Sequence, residues 1–455
     1  MLTELTPDDP GIDDLVGGAH RRLQRLIAEA EAKAKPFYQR TLGRAATIDE
    51  VIREVFAAVE REGDAAVARY TRAFDGATID AARLRVPRAE IDAAWTACEP
   101  RLRAAMELAA QRIETYQRRL LPRGFGTALD EPLGARWTPL HRVGAYVPGG
   151  PKGALPLFST VLMNLLPAKV AGVKELVAVT PPREDGSIAP ELLAAAKLAG
   201  VHEVYRVGGI PAIAALACGT PTLRAVDKIV GPGNLFVTLA KRAAYGRVDL
   251  DMLAGPSEVL VICDDGADPR FVAADLLSQA EHDVLAMAVC LFIGGDAGAA
   301  AIQREVAAQV AALPAERRAV AHESLTRHGR LVRCRTLDQA LALSNRIAPE
   351  HLELLVREPK AAVAGIVNAG AIFVGEWSPE PIGDYLAGPS HTLPTGGTAR
   401  MWSGIGADTF LRRSSIINLD EAGFRALADA GLTMARAEGL EGHARSIAVR
   451  LERRP

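Results

Sequence analysis

The order of hydrophobic and polar positions divides the chain into a helical beginning, a long middle of short apolar runs, and a helical end. From about residue 12 to 35, leucine and isoleucine recur among arginine and glutamate at the spacing of one helix face. Thr47, with Glu50 three residues later, forms a capping box that opens a second helix, and another helical stretch spans about 88–119. The first hundred or so residues are therefore predicted to be mainly α-helical.

From Val143 the chain changes to short β-type runs separated by Gly/Pro turns and alanine-rich helical stretches. The first series contains KELVAVTPP, PELLAAAKLAG, EVYRVGG, PAIAALACG and DKIVGPGN, and a second series runs from EVLVICD to AIFVG. Strands that alternate with helices predict parallel sheets, because parallel strands need a crossover connection. Beyond about residue 399 the alternation ends, and from Asp420 two amphipathic helices are predicted to follow no strand.

These patterns predict an α/β fold with two Rossmann-like parallel-sheet units, a helical N-terminal region and a helical C-terminal tail. We place a helical arm at 1–44, a discontinuous first α/β domain at 45–142 and 257–398, a second α/β domain at 143–256, and the tail at 399–455. The length of 455 residues agrees with a chain of several domains.

Charge and composition exclude two classes of partner. The chain has 53 basic and 55 acidic residues, a net charge of −2, so it has no global attraction to nucleic-acid phosphates or anionic lipids. No run reaches the roughly 18 to 20 apolar residues of a membrane-spanning helix, and the opening MLTELTPDDPGIDD is not followed by an apolar signal segment. We therefore expect a cytoplasmic protein that binds neither nucleic acid nor membrane.

Candidate metal ligands must be nitrogen and oxygen donors, because the five cysteines form no CxxC motif and no two of them are closer than 27 residues. Gln279 and His282 are three residues apart on a predicted helix, so both side chains can lie on one face. Asp384 lies in a Gly/Pro-rich loop, and His443 opens the last helix. Together these donors suit Zn²⁺ or a similar divalent ion, although each alone is compatible with a structural or surface role.

Two further features are candidates for chemistry. Glu350 and His351 join a carboxylate to an imidazole where a predicted helix ends and a strand begins. Adjacent residues of a strand point to opposite faces, so Glu350 and His351 can serve one site only if the pair lies in the turn before the strand. The alternative is a surface glutamate beside a partly buried histidine. VPGGPKGALP and VGPGNL are Gly-rich turns after strands, but neither matches a nucleotide-binding consensus, and each could be a tight turn or a phosphate site.

Seven longer motifs follow one another from Ala145 onward: AYVPGGPKGALPLFSTVLMNLLPAKVAGV, VDKIVGPGN, DMLAGPSEVLV, DLLSQAEH, APEHLEL, GDYLAGPSHTLPTGGTAR and EGLEGH. In content and order they resemble the histidinol dehydrogenase family. The resemblance implies oxidation of L-histidinol through histidinaldehyde to L-histidine, the final steps of histidine biosynthesis, with NAD and one zinc ion per subunit. It also implies an intertwined homodimer with shared active sites, in which the C-terminal tail is swapped onto the partner subunit.

The resemblance also assigns roles to individual positions. Glu350 and His351 match the catalytic pair, and Tyr146 and Asn234 match NAD contacts within 143–256. The positions that match zinc ligands are Gln279, His282, Asp384 and, from the partner subunit, His443. The positions that match substrate contacts are Ser257, Gln279, His282, His351, Asp384, His391 and, on the partner's tail, Glu438 and His443.

The chain departs from the family pattern at Pro211, where a glutamine that contacts NAD is usual. Proline has no side-chain donor or acceptor and no backbone N–H, so its effect on NAD binding stays open.

Other functions are compatible with parts of the pattern. The nearest is a paralogous zinc- and NAD-dependent dehydrogenase that acts on another polyol, such as a sulfopropanediol. The presence of Ser257, His391 and Glu438 favours histidinol over that alternative. These side chains face the substrate in the family, so an enzyme that acts on another substrate would be free to change them. A zinc hydrolase with Glu350 as the water base, and a non-catalytic binding module, are alternatives from other classes.

Overall fold

The computed structural model describes residues 2–16, 18–149 and 156–452, and the chain divides into two compact units. The first comprises Met1–Leu120 and Leu140–Phe410, and the second Leu121–Pro139 and Leu411–Pro455. The strands are β1 (Thr3–Leu5), β2 (Leu133–Pro139), β3 (Arg142–Tyr146), β4 (Glu175–Thr180), β5 (Glu203–Arg206), β6 (Lys228–Val230), β7 (Asp249–Leu250), β8 (Glu258–Asp264), β9 (Met287–Ile293), β10 (Arg330–Cys334), β11 (His351–Leu355), β12 (Ala371–Val374) and β13 (Leu411–Ile417). The helices are α1 (Ile12–Val16), α2 (Gly18–Leu42), α3 (Ile48–Glu62), α4 (Asp64–Asp75), α5 (Arg88–Ala97), α6 (Pro100–Arg119), α7 (Ser159–Ala171), α8 (Pro190–Ala199), α9 (Gly209–Cys218), α10 (Leu235–Ala244), α11 (Pro269–Ala280), α12 (Asp296–Ala312), α13 (Ala315–His328), α14 (Leu337–Ile347), α15 (Pro359–Ala362), α16 (Glu380–Ile382), α17 (Glu421–Ala437) and α18 (Glu441–Leu451).

Six parallel strands form the larger sheet of the first unit, in the order β1-β10-β9-β8-β11-β12. Successive side chains of a strand point to opposite faces, and β8 is apolar on both. Val259, Val261 and Cys263 pack with α11 and α12 on one face, whereas Leu260 and Ile262 pack with α1 and α14 on the other. The centre of this sheet is therefore covered by helices on both sides, as parallel sheets require.

Five parallel strands form the second sheet of the same unit, in the order β5-β4-β3-β6-β7. One face shares a single apolar core with α3, α4, α9 and α10, and α7 contacts β3 and β4. Residues 45–142 are predicted to belong with 257–398, yet Val51, Val55 and Val59 of α3 lie in the core of the five-stranded sheet. The apolar face of α3 meets α9, so α3 packs with 143–256. The other domain boundaries stay predictions.

The two parallel sheets confirm the predicted fold class, but the pattern misses the strands β1, β2, β7 and β13. β13 precedes α17 and α18 and pairs antiparallel with β2 within the second unit, so the expectation that the tail helices follow no strand is wrong. Its sequence LRRSSII is exposed over four central positions, which removes the alternation that reveals a half-buried strand. The swapped position of the tail stays a prediction.

Within residues 2–16, 18–149 and 156–452, no helix combines the length and the apolar composition needed to cross a membrane. All five cysteines are free, and Cys263, Cys290 and Cys334 are buried on adjacent strands of the six-stranded sheet. Burial suits the role of a small apolar side chain, which free cysteine commonly takes in cores.

Candidate active site

The end of α11 carries the first two candidate metal ligands. Gln279 lies in the last turn, and His282 follows the helix with its N–H donating to the Gln279 carbonyl (3.2 Å). The Gln279 side chain is buried, yet neither its amide oxygen nor its amide nitrogen has a hydrogen-bond partner among the described residues. An unpaired buried polar group costs about 1–3 kcal/mol, which a bound group that satisfies it would recover.

Glu350 and His351 lie at the amino end of β11. Helix α14 ends at Ile347, Ala348 adopts the left-handed conformation (φ 55°), and Pro349 cannot extend a helix. This turn places Glu350 immediately before the strand and His351 as its first residue, and both are buried. The two side chains approach each other, with His351 Nδ1 3.7 Å from Glu350 Oε2.

The backbone of Glu258, at the start of β8, holds both side chains. Its N–H donates to Glu350 Oε2 (2.9 Å), and its carbonyl lies 3.0 Å from His351 Nδ1. A carbonyl can only accept, so Nδ1 carries the proton, and a neutral His351 keeps the lone pair on Nε2. Nε2 lies 3.6 Å from Asp384 Oδ1. The ring is therefore oriented to accept a proton at Nε2.

Asp384 occupies a π-helical turn, Gly383–Ala387, and connects the remaining histidines to the pair. Its carbonyl accepts from His391 Nδ1 (3.2 Å), and His391 Nε2 lies 3.3 Å from the hydroxyl of Thr160. Burial lowers the pKa of His391, and His351 and His282 add smaller contributions in the same direction. His351, His391 and His282 all contribute to lowering the pKa of Asp384. Three histidines, His282, His351 and His391, thus surround one carboxylate.

Burial and charge shift the protonation of this cluster. Burial raises the pKa of Glu350 to about 8, although His351 opposes the shift. Burial lowers the pKa of His351, but the carboxylates of Glu350 and Asp384 outweigh it, and the net shift is well above the usual value. Burial raises the pKa of Asp384, but its interaction with His351 lowers it more, so the net shift is downward. Such a set can hold and move protons near neutral pH.

Glu380 is a site residue that the sequence analysis does not identify. It is 1% exposed, and its Oε2 accepts from Ser278 Oγ (2.6 Å). One donor atom each from His351, Glu380 and Asp384 lie within 4.8 Å of one another, a spacing that could hold a metal ion. The segment PEP around Glu380 is typical of an exposed turn, so no local signal indicates its burial.

These groups line a cavity of about 720 Å³. The predicted site residues in its wall are Tyr146, Asn234, Ser257, Gln279, His282, Glu350, His351, Asp384 and His391. The five-stranded sheet contributes the carboxyl ends of β3 and β6, whereas the six-stranded sheet contributes the amino ends of β8 and β11. Ligands of open parallel sheets usually bind at the carboxyl ends of the strands, and the five-stranded sheet follows this rule. The six-stranded sheet does not, because Glu350 precedes β11 and His351 is its first residue.

Tyr146 and Asn234 are the positions for which the resemblance implies NAD contacts. Tyr146 ends β3, its hydroxyl oxygen accepts from the Gly209 N–H (3.3 Å), and burial raises its pKa, so the hydroxyl stays neutral. Asn234 caps α10, where its Oδ1 accepts from the Val237 N–H (3.1 Å). Its carboxamide nitrogen is not used by the cap and can serve a ligand.

Two other sequence features bear on the predicted NAD site. Residues 150–155 of the first Gly-rich turn lie outside the described residues. Pro211 is buried in the first turn of α9, a position where a missing backbone N–H costs the helix no hydrogen bond.

Glu438 and His443 belong to the second compact unit. Glu438 follows α17, His443 lies in the first turn of α18, and both are exposed. Their predicted roles in a site shared with a partner subunit stay predictions.

Known proteins resemble this chain over most of its length. The family model described as histidinol dehydrogenase matches residues 38–451. Histidinol dehydrogenase from Moorella thermoacetica is 56% identical over 405 residues, which cover 88% of this chain and 94% of that protein. The Heliobacterium mobile enzyme of the same name is 46% identical over 435 residues, covering 94% and 100%. The crystal structure of histidinol dehydrogenase from Elizabethkingia anophelis matches with a TM-score of 0.84 at 38% identity, over 90% and 93% of the two chains.

The chain belongs to the histidinol dehydrogenase family. The match confirms the resemblance that the seven motifs indicate. A member of the histidinol dehydrogenase family is an oxidoreductase that acts on a small-molecule substrate. Family membership therefore favours an oxidoreductase over the zinc hydrolase and over the binding module.

The raised pKa of Glu350 predicts how the stability of the metal-free protein depends on pH. A carboxyl whose pKa rises from 4.5 to about 8 on folding contributes stability below pH 4.5 that is lost as the pH rises through 8. Glu350→Gln cannot ionise, so this variant should gain stability relative to the wild type between these pH values, by on the order of a few kcal/mol. Urea denaturation of both zinc-free proteins across this range measures the difference. A difference that stays constant with pH would contradict the assignment.

Proposed function

We propose that the protein oxidises L-histidinol through histidinaldehyde to L-histidine, with two NAD⁺ and one water, and with zinc as its resident metal. The observation that carries the proposal is the buried pair Glu350 and His351, fixed by one residue, Glu258, in the wall of the cavity that also contains the candidate metal donors. Converting a primary alcohol to an acid needs a proton acceptor for each oxidation and a water activator between them. An imidazole and a carboxyl group are sufficient for these tasks.

In the first half-reaction, the neutral form of His351 accepts the proton of the substrate hydroxyl at Nε2. Its Nδ1–H stays bonded to the Glu258 carbonyl, which keeps the ring in place as it becomes charged. In the second half-reaction, Glu350 accepts a proton from the water that adds to the aldehyde carbon. His351, after releasing the first proton to solvent, accepts the proton of the hydrate. A pKa of about 8 suits a carboxyl group that exchanges protons near neutral pH.

Gln279, His282 and Asp384 would hold the zinc ion from this subunit. The Gln279 amide oxygen fits this role, because a bond to a cation would satisfy a buried atom that has no other partner among the described residues. The carboxamide, imidazole and carboxylate are oxygen and nitrogen donors of the kind that divalent zinc accepts. When bound, the ion would act as a template for the imidazole and amino nitrogens of histidinol. Asp384 alone among the three is anionic, so the site stays cationic enough for these neutral donors.

The dinucleotide would bind at the carboxyl end of the five-stranded sheet. Support comes from Tyr146 and Asn234, which line the same cavity as the catalytic pair. The Asn234 carboxamide nitrogen can donate to the cofactor while its oxygen caps α10. Pro211 offers no side-chain hydrogen bond, so these and the backbone contacts would hold NAD without the usual glutamine.

The remaining zinc ligand, His443, and the substrate contact Glu438 would come from the partner subunit of an intertwined homodimer. Support comes from their exposure near the turn between α17 and α18, which leaves both side chains accessible to another chain.

Counting NADH tests the proposed reaction. The zinc-loaded wild type should form two NADH per L-histidinol. Glu350→Gln should complete the first oxidation and stall at the aldehyde, so its count should fall toward one, whereas His351→Asn should slow both steps by about 10²–10⁴-fold. Single-turnover NADH formation from histidinol and from histidinaldehyde separates the steps.

The exposed His322 provides a matched control, since His322→Asn should leave both steps unchanged. Equal losses in both steps for Glu350→Gln would refute the division of labour. A wild type that forms one NADH, or that prefers dihydroxypropanesulfonate, would identify the paralogous polyol dehydrogenase instead.

Mixing variant chains tests the shared site. His443→Ala and Glu350→Gln homodimers should each be impaired, but a heterodimer contains one site with both residues intact. Coexpressed chains should therefore recover up to about a quarter of wild-type activity per total site, since half the dimers are mixed and each has one intact site. If the mixture shows no more activity than the separate homodimers, the tail serves its own subunit.

A further inference from the structure

A buried ion pair that the proposed mechanism does not use lies behind the second Gly-rich turn. Lys241 is on α10, and Asp251 follows β7; their side chains are 2% and 0% exposed and form a direct salt bridge. Removing two charges from water has a large desolvation cost, and a buried ion pair is often no more stabilising than apolar side chains of the same volume. Stability alone therefore gives little reason for this pair.

The ion pair forms hydrogen bonds with both backbone polar groups of Gly231, its N–H and its carbonyl. Lys241 Nζ donates to the Gly231 carbonyl (3.0 Å), and Asp251 Oδ2 accepts from the Gly231 N–H (2.7 Å). Asp251 Oδ1 also accepts from the N–H of Met252 (2.6 Å). The charged groups thus make the hydrogen bonds that a strand or helix would otherwise provide to this residue.

Gly231 needs such support because its conformation is unusual. Its φ is +103°, and a Cβ at this position would lie 2.2 Å from the carbonyl oxygen of Tyr146. Only glycine fits here, and glycine has the greatest backbone freedom to lose. The salt bridge between Lys241 and Asp251 therefore fixes a glycine, the residue type with the most backbone freedom to lose.

The fixed turn leads directly into the cavity. Gly231 follows the last residue of β6, and the next three residues, Pro232, Gly233 and Asn234, line the cavity wall. Asn234 then caps α10, the helix that carries Lys241. The turn is therefore anchored at its start by the ion pair and at its end by the cap.

Lys241 itself is not placed to bind a phosphate. Its ammonium group is buried and bonded to Gly231 and Asp251, and the neighbouring carboxylate cancels its charge. Its influence on a ligand must pass through the turn.

We propose that Lys241 and Asp251 are positioning residues for the dinucleotide: they preorganise the turn 231–234 so that Asn234 and the adjacent backbone meet the cofactor without an ordering cost. The inference rests on the proposed use of NAD at this cavity. Loss of the pair weakens NAD binding and leaves binding of the alcohol substrate unchanged, because the catalytic pair and the candidate zinc donors are on other elements.

The test compares the double variant Lys241→Met/Asp251→Asn, which leaves no unpaired buried charge, with the wild-type holoenzyme. The KM for NAD⁺ and the Kd for NADH, measured by fluorescence, should rise at least tenfold, whereas the KM for histidinol should change less than twofold. Lys241→Gln/Asp251→Asn also leaves no buried charge but keeps a donor and an acceptor beside Gly231, so it should show a smaller rise in the same direction, and the test stands even if the first double variant folds poorly.

Arg142→Met is the matched control. Arg142 is 4% exposed, pairs with Glu175 and Glu203, and begins β3 at the opposite end of the same sheet. This variant should lower Tm without changing the KM for NAD⁺. Unchanged NADH affinity in both Asp251 variants, or equal rises in the KM values of both substrates, would overturn the proposal. A wild type that does not bind NADH would instead refute the proposed function.

Discussion

The structure of the site depends on the backbone of Glu258. Its N–H and carbonyl hold Glu350 and His351, and through the carbonyl it determines which ring nitrogen of His351 is free. The Glu258 side chain extends the same role, because its carboxylate accepts from the N–H groups of Gly396 (2.7 Å) and Gly397 (3.4 Å). One residue at the amino end of a central strand thus connects the acid–base pair to the loop after His391, which lines the cavity.

This arrangement leaves Nε2 as the ring nitrogen of His351 that can either accept a proton or bind a metal ion, but not both. Nδ1 is committed to Glu258, and buried Nε2 has no hydrogen-bond partner among the described residues. Asp384 belongs to two possible donor sets, one with Gln279 and His282 and one with His351 and Glu380. If His351 is the base, the metal must use the first set, because a nitrogen bound to a cation cannot also accept a proton. The orphaned carboxamide of Gln279 supports this division.

Much of this organisation could be predicted from the sequence, because it follows from local periodicity. Alternating strands and helices predict the two sheets, and the three-residue spacing of Gln279 and His282 makes both candidate ligands that do line the cavity. Features that depend on distant partners could not be predicted. Glu380, Lys241 and Asp251 are charged residues in ordinary turns and helices, and only the tertiary packing buries them. The strand β13 was hidden for a related reason, since its exposed centre has no apolar alternation.

Anomalous diffraction at the zinc absorption edge tests the central claim most directly. In crystals of the zinc-loaded protein, the account predicts an anomalous peak bonded to Gln279, His282 and Asp384 at about 2.0–2.2 Å, with His351 Nε2 unbound. A peak bonded to His351 Nε2 and Glu380 would contradict the account, because the imidazole would then be a metal ligand and no longer the base for both oxidations.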